Sequence, residues 1–318
     1  YSPDGQRYTP VDAEALNSYR EAIDGQILQE GICEAGAIAS FIAAGTAYAT
    51  FAVPTIPFYI FYSMFGFQRV GDMIWASADM MARGFLLGGT AGRTTLNGEG
   101  LQHQDGHSPI LASTVPSVRT YDPAFAWELA ILVRFGIQRM FLEDHDELFY
   151  LMMYNEALPM PARPDHVDLD EGVVRGGYLL EPAVGDGPRV NLLGSGTILF
   201  EVMQAAETLR GEGLSVAVYS VTSYVELARD AERAEQVDTA DADPAWLDII
   251  FPETDVPIVA ATDYVRALPR MIASWINAPF AALGTDGFGM SERRSDLRAH
   301  FEVDAASIAD AARKLTAS

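Results

Sequence analysis

The chain has 318 residues, 49% of them hydrophobic, enough to build cores for roughly two domains of about 150 residues each. Its formal charge of -23, from 44 acidic against 21 basic residues without a Lys/Arg cluster, excludes a nucleic-acid backbone as a partner. A single cysteine, Cys33, rules out an intrachain disulfide and fits a reducing, cytoplasmic setting.

The sequence opens on Tyr1 rather than Met, and its first residues are polar. No secretory leader is expected there, and a processed or trimmed N-terminus is. Residues 12–19 predict a short helix. From 36 to 67 no charged residue occurs over 32 positions, but Pro54 and Pro57 and many Gly, Ala, Ser and Thr residues interrupt the run. A membrane span needs about 20 predominantly apolar residues in succession. The expectation is therefore a buried helix followed by a buried strand, and no membrane association. Residues 63–83 predict a helix with Phe67, Val70, Ile74 and Trp75 recurring at helical spacing. Residues 85–88 predict a buried strand leading into a Gly- and Thr-rich loop.

Further along, Asp122-Pro123 reads as a helix start, with Asp as cap and Pro in the first turn; Phe125, Leu129, Leu132 and Met140 supply its buried side. Residues 148–154 are an apolar run suited to a parallel strand covered on both faces. Pro159, Pro161 and Pro164 then mark a linker reaching to Asp170. Beyond it, strands at 190–193, 215–219, 256–261 and 280–283 alternate with helices at 198–210 and 226–235. Asp263 and Asp304 read as helix caps, the latter for a final helix ending at Lys314. Strand–helix alternation in both halves predicts an α/β chain of two domains with largely parallel sheets flanked by helices.

No G-x-G-x-x-G after a strand, P-loop or G-x-S-x-G elbow is present. Gly194-Ser195-Gly196 stands where a strand turns into a helix, so it serves either as an anion-holding turn or as a plain connection. His103 and His107 are four apart, a zinc-compatible spacing on a helix. Gly98, Gly100 and Gly106 make the segment a loop, with Glu99 and Asp105 as its carboxylates. The loop then reads either as general acid–base equipment for an organic substrate or as a polar loop bonded to backbone. Glu34 stands at the threshold of the uncharged stretch. It reads equally as a functional buried carboxylate or as an acid stabilised at a helix N-terminus.

Several runs resemble the homodimeric type of pyruvate dehydrogenase, the decarboxylating component of 2-oxo-acid dehydrogenase complexes. They are residues 29–36 (QEGICEAG), 56–59 (IPFY), 62–69 (YSMFGFQR), 92–103 (GRTTLNGEGLQH) and 105–107 (DGH). Residues 121–124, 219–223, 226–230 and 284–289 add shorter matches, and the likeness covers essentially the whole chain. It implies a transketolase-like domain at 1–160 that binds the pyrimidine of thiamine diphosphate, a linker at 161–172, and a transketolase-like C-terminal domain at 173–318. It implies that Glu34 hydrogen-bonds a pyrimidine nitrogen, that Phe65 packs on the pyrimidine, and that Tyr62 and His103 face the 2-oxo acid. Glu99 and His107 stand as possible support.

The reaction so implied is oxidative decarboxylation of a 2-oxo acid, pyruvate by default, with reductive acylation of a lipoyl group on an acyltransferase partner. Mg²⁺ and the diphosphate would be held by a separate domain bearing a Gly-Asp-Gly signature and a later Asn. Gly185-Asp186-Gly187 lacks that Asn and reads as a turn. The resemblance therefore implies a complementing domain or subunit, in a homodimer or heterotetramer. A non-catalytic paralogue or interaction subunit, or a transketolase-like synthase, are the competing expectations.

Overall fold

The computed structural model describes residues 7, 9, 24–97, 100–165, 169–236 and 243–317. The helix expected at 12–19 and Glu99 lie outside the described residues.

Two sheets organise the chain. The first has the order β1-β2-β4-β3, built from β1 (Phe58–Tyr62), β2 (Gly84–Gly89), β3 (Val118–Tyr121) and β4 (Leu148–Met152), all parallel. The central strand β4 (LFYLM) is buried at every position, as a parallel strand covered on both faces must be. On one face lie α1 (Glu34–Gly45), α2 (Ala47–Phe51), α3 (Gly66–Asp79) and α4 (Ser108–Ser113); Ile38, Phe41, Phe67, Val70 and Ile74 join the core there. The other face is covered by α5 (Ala126–Ile137) through Ile131 and Leu132, which pack with Phe85 and Phe149. Beyond the proline-rich segment, α6 (Leu169–Arg175) adds Leu169 and Val173 to that same cluster.

The second sheet has the order β5-β7-β6-β8-β9, from β5 (Tyr178–Glu181), β6 (Arg189–Gly194), β7 (Ser215–Ser220), β8 (Ile258–Ala261) and β9 (Phe280–Leu283). Only β5 runs antiparallel, along the sheet edge. α7 (Ile198–Gly211) and α12 (Ala305–Thr316) bury Val202, Leu209 and Ile308 against one face, and α11 (Arg294–His300) adds Leu297. α8 (Tyr224–Gln236), α9 (Trp246–Ile250) and α10 (Ala267–Arg270) contribute Leu227, Trp246 and Leu268 to a cluster that also holds Phe61 and Tyr150 of the first half. One apolar core thus runs between the two sheets.

Several sequence expectations change. α5 begins at Ala126, and Asp122 does not cap it; the Glu128 carboxylate accepts from the Ala124 and Phe125 amides at 2.6 and 3.0 Å. Asp263 caps no helix either, because α10 starts at Ala267 and the Asp263 carboxylate turns toward residues 94–95. Trp75 is half exposed: the buried stripe of α3 follows Phe67, Val70, Ile74 and Ser77, and Trp75 falls one step beyond it. β1 is half-buried rather than buried, since as an edge strand it turns Phe58, Ile60 and Tyr62 outward. Asp304 does cap α12, accepting from the Ser307 amide at 3.1 Å. No helix among the described residues is long and apolar enough to cross a membrane.

Where β1 turns into α3, the absence of a side chain at Gly66 matters. A Cβ there would overlap the buried ring of Phe61, with its Cζ at 2.8 Å. Gly66→Ala should therefore lower stability by about 1–3 kcal/mol through overpacking, read as a lower thermal midpoint. An unchanged midpoint would show that Phe61 has room to move.

Candidate active site

The carboxyl end of β1 and the start of α1 enclose a cavity of about 370 Å³ lined by Gly31, Ile32, Glu34, Tyr59, Ile60 and Tyr62, among others. Its wall is mostly apolar, and among the described residues Glu34 is the one acidic side chain in it. Glu34 occupies the first turn of α1, where the helix dipole favours a carboxylate. Its Oε1 accepts from Arg69 Nη1 at 2.6 Å, and its side chain is 19% exposed. The Tyr59 hydroxyl donates to the Glu34 carbonyl at 3.3 Å, and burial pushes that phenol up to about 12, so it stays a donor at neutral pH.

Phe65, Tyr62 and His103 form one aromatic group beside this cavity. The Tyr62 and His103 rings are 5.5 Å apart, Phe65 and His103 meet edge-on at 4.9 Å, and Tyr62 and Phe65 at 6.2 Å. The Arg69 guanidinium lies 4.0 Å from the centre of the Phe65 ring. Arg69 therefore ties the carboxylate to the aromatic group through an ion pair and a cation–π contact. The sequence reading missed it as a site residue, although its spacing of four from Phe65 within the helix expected at 63–83 was a signal.

The segment that carries His103 is a single 3₁₀ turn, Leu101–His103, followed by a loop into α4. Buried Asp105 fixes that loop. Its Oδ1 accepts from the His107 and Ser108 amides, each at 3.0 Å, and its Oδ2 accepts from Ser63 Oγ at 2.5 Å. His107 faces Gln68 through its Nε2 and lies outside the ring cluster. His103 and His107 are not gathered with a third potential ligand among the described residues. Of the expected residues, Glu34, Tyr62, Phe65 and His103 are thus brought together, and His107 stands to one side.

The second half holds the residues leading into this loop. The fully buried Asp263 accepts from the amides and hydroxyls of Thr94 and Thr95, at 2.6 to 3.1 Å. The Gly194-Ser195-Gly196 turn is occupied by protein contacts. The Gly196 amide donates to the Asp122 carbonyl at 3.2 Å, and Thr197 Oγ1 meets Thr95 Oγ1 at 2.7 Å. It is a connection that docks the halves, not an anion site. Gly185-Asp186-Gly187 forms a turn before β6, with Gly185 at a φ of 99°.

A sequence family described as the pyruvate dehydrogenase E1 component middle domain matches residues 1–161, and one described as the transketolase-like C-terminal domain matches 176–304. The pyruvate dehydrogenase E1 component of Corynebacterium glutamicum is 51% identical over 97% of the chain, and that of Escherichia coli K12 is 49% identical over 98%. The chain spans only 34% and 36% of those two proteins. Among solved structures, a transketolase from Leishmania mexicana matches with a TM-score of 0.67 at 19% identity, over 90% of the chain and 37% of its own length. A chain described as a split-gene transketolase, inactive beta4 tetramer, matches with a TM-score of 0.65 at 16% identity, over 90% of this chain and 83% of that one. These structural likenesses establish a transketolase-like α/β fold.

Proposed function

The chain belongs to the pyruvate dehydrogenase E1 component family, and from that premise we propose that it works within a thiamine-diphosphate-dependent enzyme. The reaction is oxidative decarboxylation of a 2-oxo acid, pyruvate by default, with transfer of the acyl group to a lipoyl group of an acyltransferase partner. We take residues 1–160 as the pyrimidine-binding domain, 161–172 as a linker and 173–318 as the C-terminal domain. The observation that carries the reading is that Glu34 and Tyr62 line one largely apolar cavity, with Phe65 and His103 grouped on the Tyr62 ring and Arg69 linking Phe65 to Glu34.

The residues present suit the pyrimidine. A flat heterocycle needs an apolar slot, an aromatic face and one carboxylate opposite a ring nitrogen. The cavity supplies Ile32, Ile60 and Tyr59 as walls, Phe65 beside it and Glu34 at its edge. When bound, the cofactor supplies the electron sink that decarboxylation requires. Glu34 would hold the pyrimidine by sharing a proton between its carboxylate and a ring nitrogen, in place of its bond with Arg69. Arg69 is half exposed. Tyr62 and His103 orient the 2-oxo acid, with the imidazole placed to exchange a proton with it. Glu99 and His107 are auxiliary. Mg²⁺ and the diphosphate are held by a domain or subunit supplied from outside these residues, in a homodimer or heterotetramer. Cys33 is exposed and has no disulfide partner, in keeping with a cytoplasmic enzyme.

The test is pyruvate decarboxylation with thiamine diphosphate and Mg²⁺, measured on the 318-residue chain alone and on the assembly that contains the diphosphate-binding part. Cofactor-dependent turnover in the assembly and none in the chain alone is expected. An assembly that binds the cofactor but leaves pyruvate and other short 2-oxo acids intact would overturn the reading.

A further inference from the structure

The loop bearing His103 is built in the first half of the chain but gripped by the second. We propose that Gln104 is a positioning residue for His103, and that the C-terminal half sets the imidazole's place through it. The inference rests on the role given to His103 above.

Gln104 follows His103 directly and is buried, 3% exposed. Its Nε2 donates to the Leu96 carbonyl at 2.8 Å and to the Met290 carbonyl at 3.0 Å, and its Oε1 accepts from the Met290 amide at 2.9 Å. One side-chain amide thereby joins the two ends of the His103 segment to the irregular stretch around Met290 of the C-terminal half. Gly289 makes that approach possible. A Cβ on it would overlap Gln104 Oε1 and lie 2.7 Å from the Leu101 carbonyl, so the backbone at Gly289 lies directly against the 3₁₀ turn.

Four further hydrogen bonds join the flanks of the same loop to the C-terminal half. Arg93 Nη1 donates to the Thr285 carbonyl at 2.5 Å and to the Gly287 carbonyl. The Val265 amide donates to the Gly106 carbonyl at 2.7 Å, and Arg294 Nε to the Thr95 carbonyl at 2.7 Å. The front of the turn presents His103 to Tyr62 and Phe65. Gln104 touches none of these rings through any contact above. Its effect on the reaction runs through the turn's position: a displacement of about 1 Å in a reacting group can cost on the order of 100-fold in rate.

The experiment compares Gln104→Ala, Gly289→Ala and His103→Ala in the assembly that decarboxylates pyruvate, well below its melting temperature. Gly289→Ala approaches the same contact from the C-terminal side and keeps the test open should Gln104→Ala fail to fold. Both variants should lower kcat by about 10- to 100-fold with KM changed less than about threefold, and shift the limb of the kcat–pH profile that His103→Ala abolishes. Loss of kcat in His103→Ala together with near-normal kcat and an unmoved pH profile in Gly289→Ala and in any folded Gln104→Ala overturns the positioning role alone. Full activity in His103→Ala overturns the role of His103, and the positioning role falls with it.

Discussion

Glu34→Gln in the complete assembly should abolish at least about 99% of the decarboxylation rate, on the scale of 100-fold or more that positioned acid–base groups contribute. The fold should barely notice. The Glu34–Arg69 pair still reaches solvent through the half-exposed Arg69, with Glu34 19% exposed, and solvent-screened pairs contribute about 0–1 kcal/mol. Glutamine keeps the size of the side chain and can still accept from Arg69, so the thermal midpoint should move by no more than a few degrees. What it loses is the capacity to share a proton with a ring nitrogen across the cavity mouth. The check is steady-state kcat beside a thermal melt of the same preparation. Near-normal turnover with an intact melt would remove Glu34 from the chemistry and leave it as the helix-start carboxylate that its place in the first turn of α1 also explains.

The parts of this molecule legible in its sequence are those governed by local pattern. The apolar run in β4 announces a strand covered on both faces, and Asp304 announces α12 because its capping partner is three residues away. The short strands β3 (VRTY) and β5 (YLLE) escaped because each carries a charged residue that breaks its apolar pattern, whereas the equally short β8 (IVAA) and β9 (FAAL) carry none. Asp122 and Asp263 were misread for a different reason. An acidic residue just before a helical pattern looks like a cap, but both are buried between the halves. The partners of Asp263, Thr94 and Thr95, lie more than 160 positions away. No local pattern reports such a partner. The candidate site divides likewise: Glu34 and His103 stand out as polar residues in conspicuous settings. Arg69 and Gln104 act through contacts that exist only once α1, α3 and the C-terminal half are assembled.

Replacing Asp122 with Asn should stabilise the chain at pH 8 and leave it nearly unchanged near pH 4. The Asp122 side chain is buried where β3 ends, at the seam between the two halves; its Oδ1 accepts from the Tyr154 hydroxyl, and its Oδ2 has no hydrogen-bond partner among the described residues. Burial pushes the carboxyl up to about 7 from an ordinary 3.8. The Tyr154 and Ser195 hydroxyls oppose that shift, and the nearby Asp263 and Glu128 carboxylates reinforce it. Those two acids are themselves raised by burial. The folded state therefore binds this proton more tightly than the unfolded chain does. The stability it contributes is complete below the unfolded value of 3.8 and is lost as the pH rises through 7. A shift of that size corresponds to on the order of 4 kcal/mol, each pH unit contributing about 1.4 kcal/mol. Asparagine cannot ionise, keeps an acceptor toward Tyr154 and is free of the penalty. Urea unfolding of the two proteins at pH 4.5 and pH 8 measures the effect: the midpoint gap should be small at the lower pH and widen until about pH 7. A gap that stays constant with pH would mean that Asp122 is already ionised and solvated at this seam, through water reaching its Oδ2.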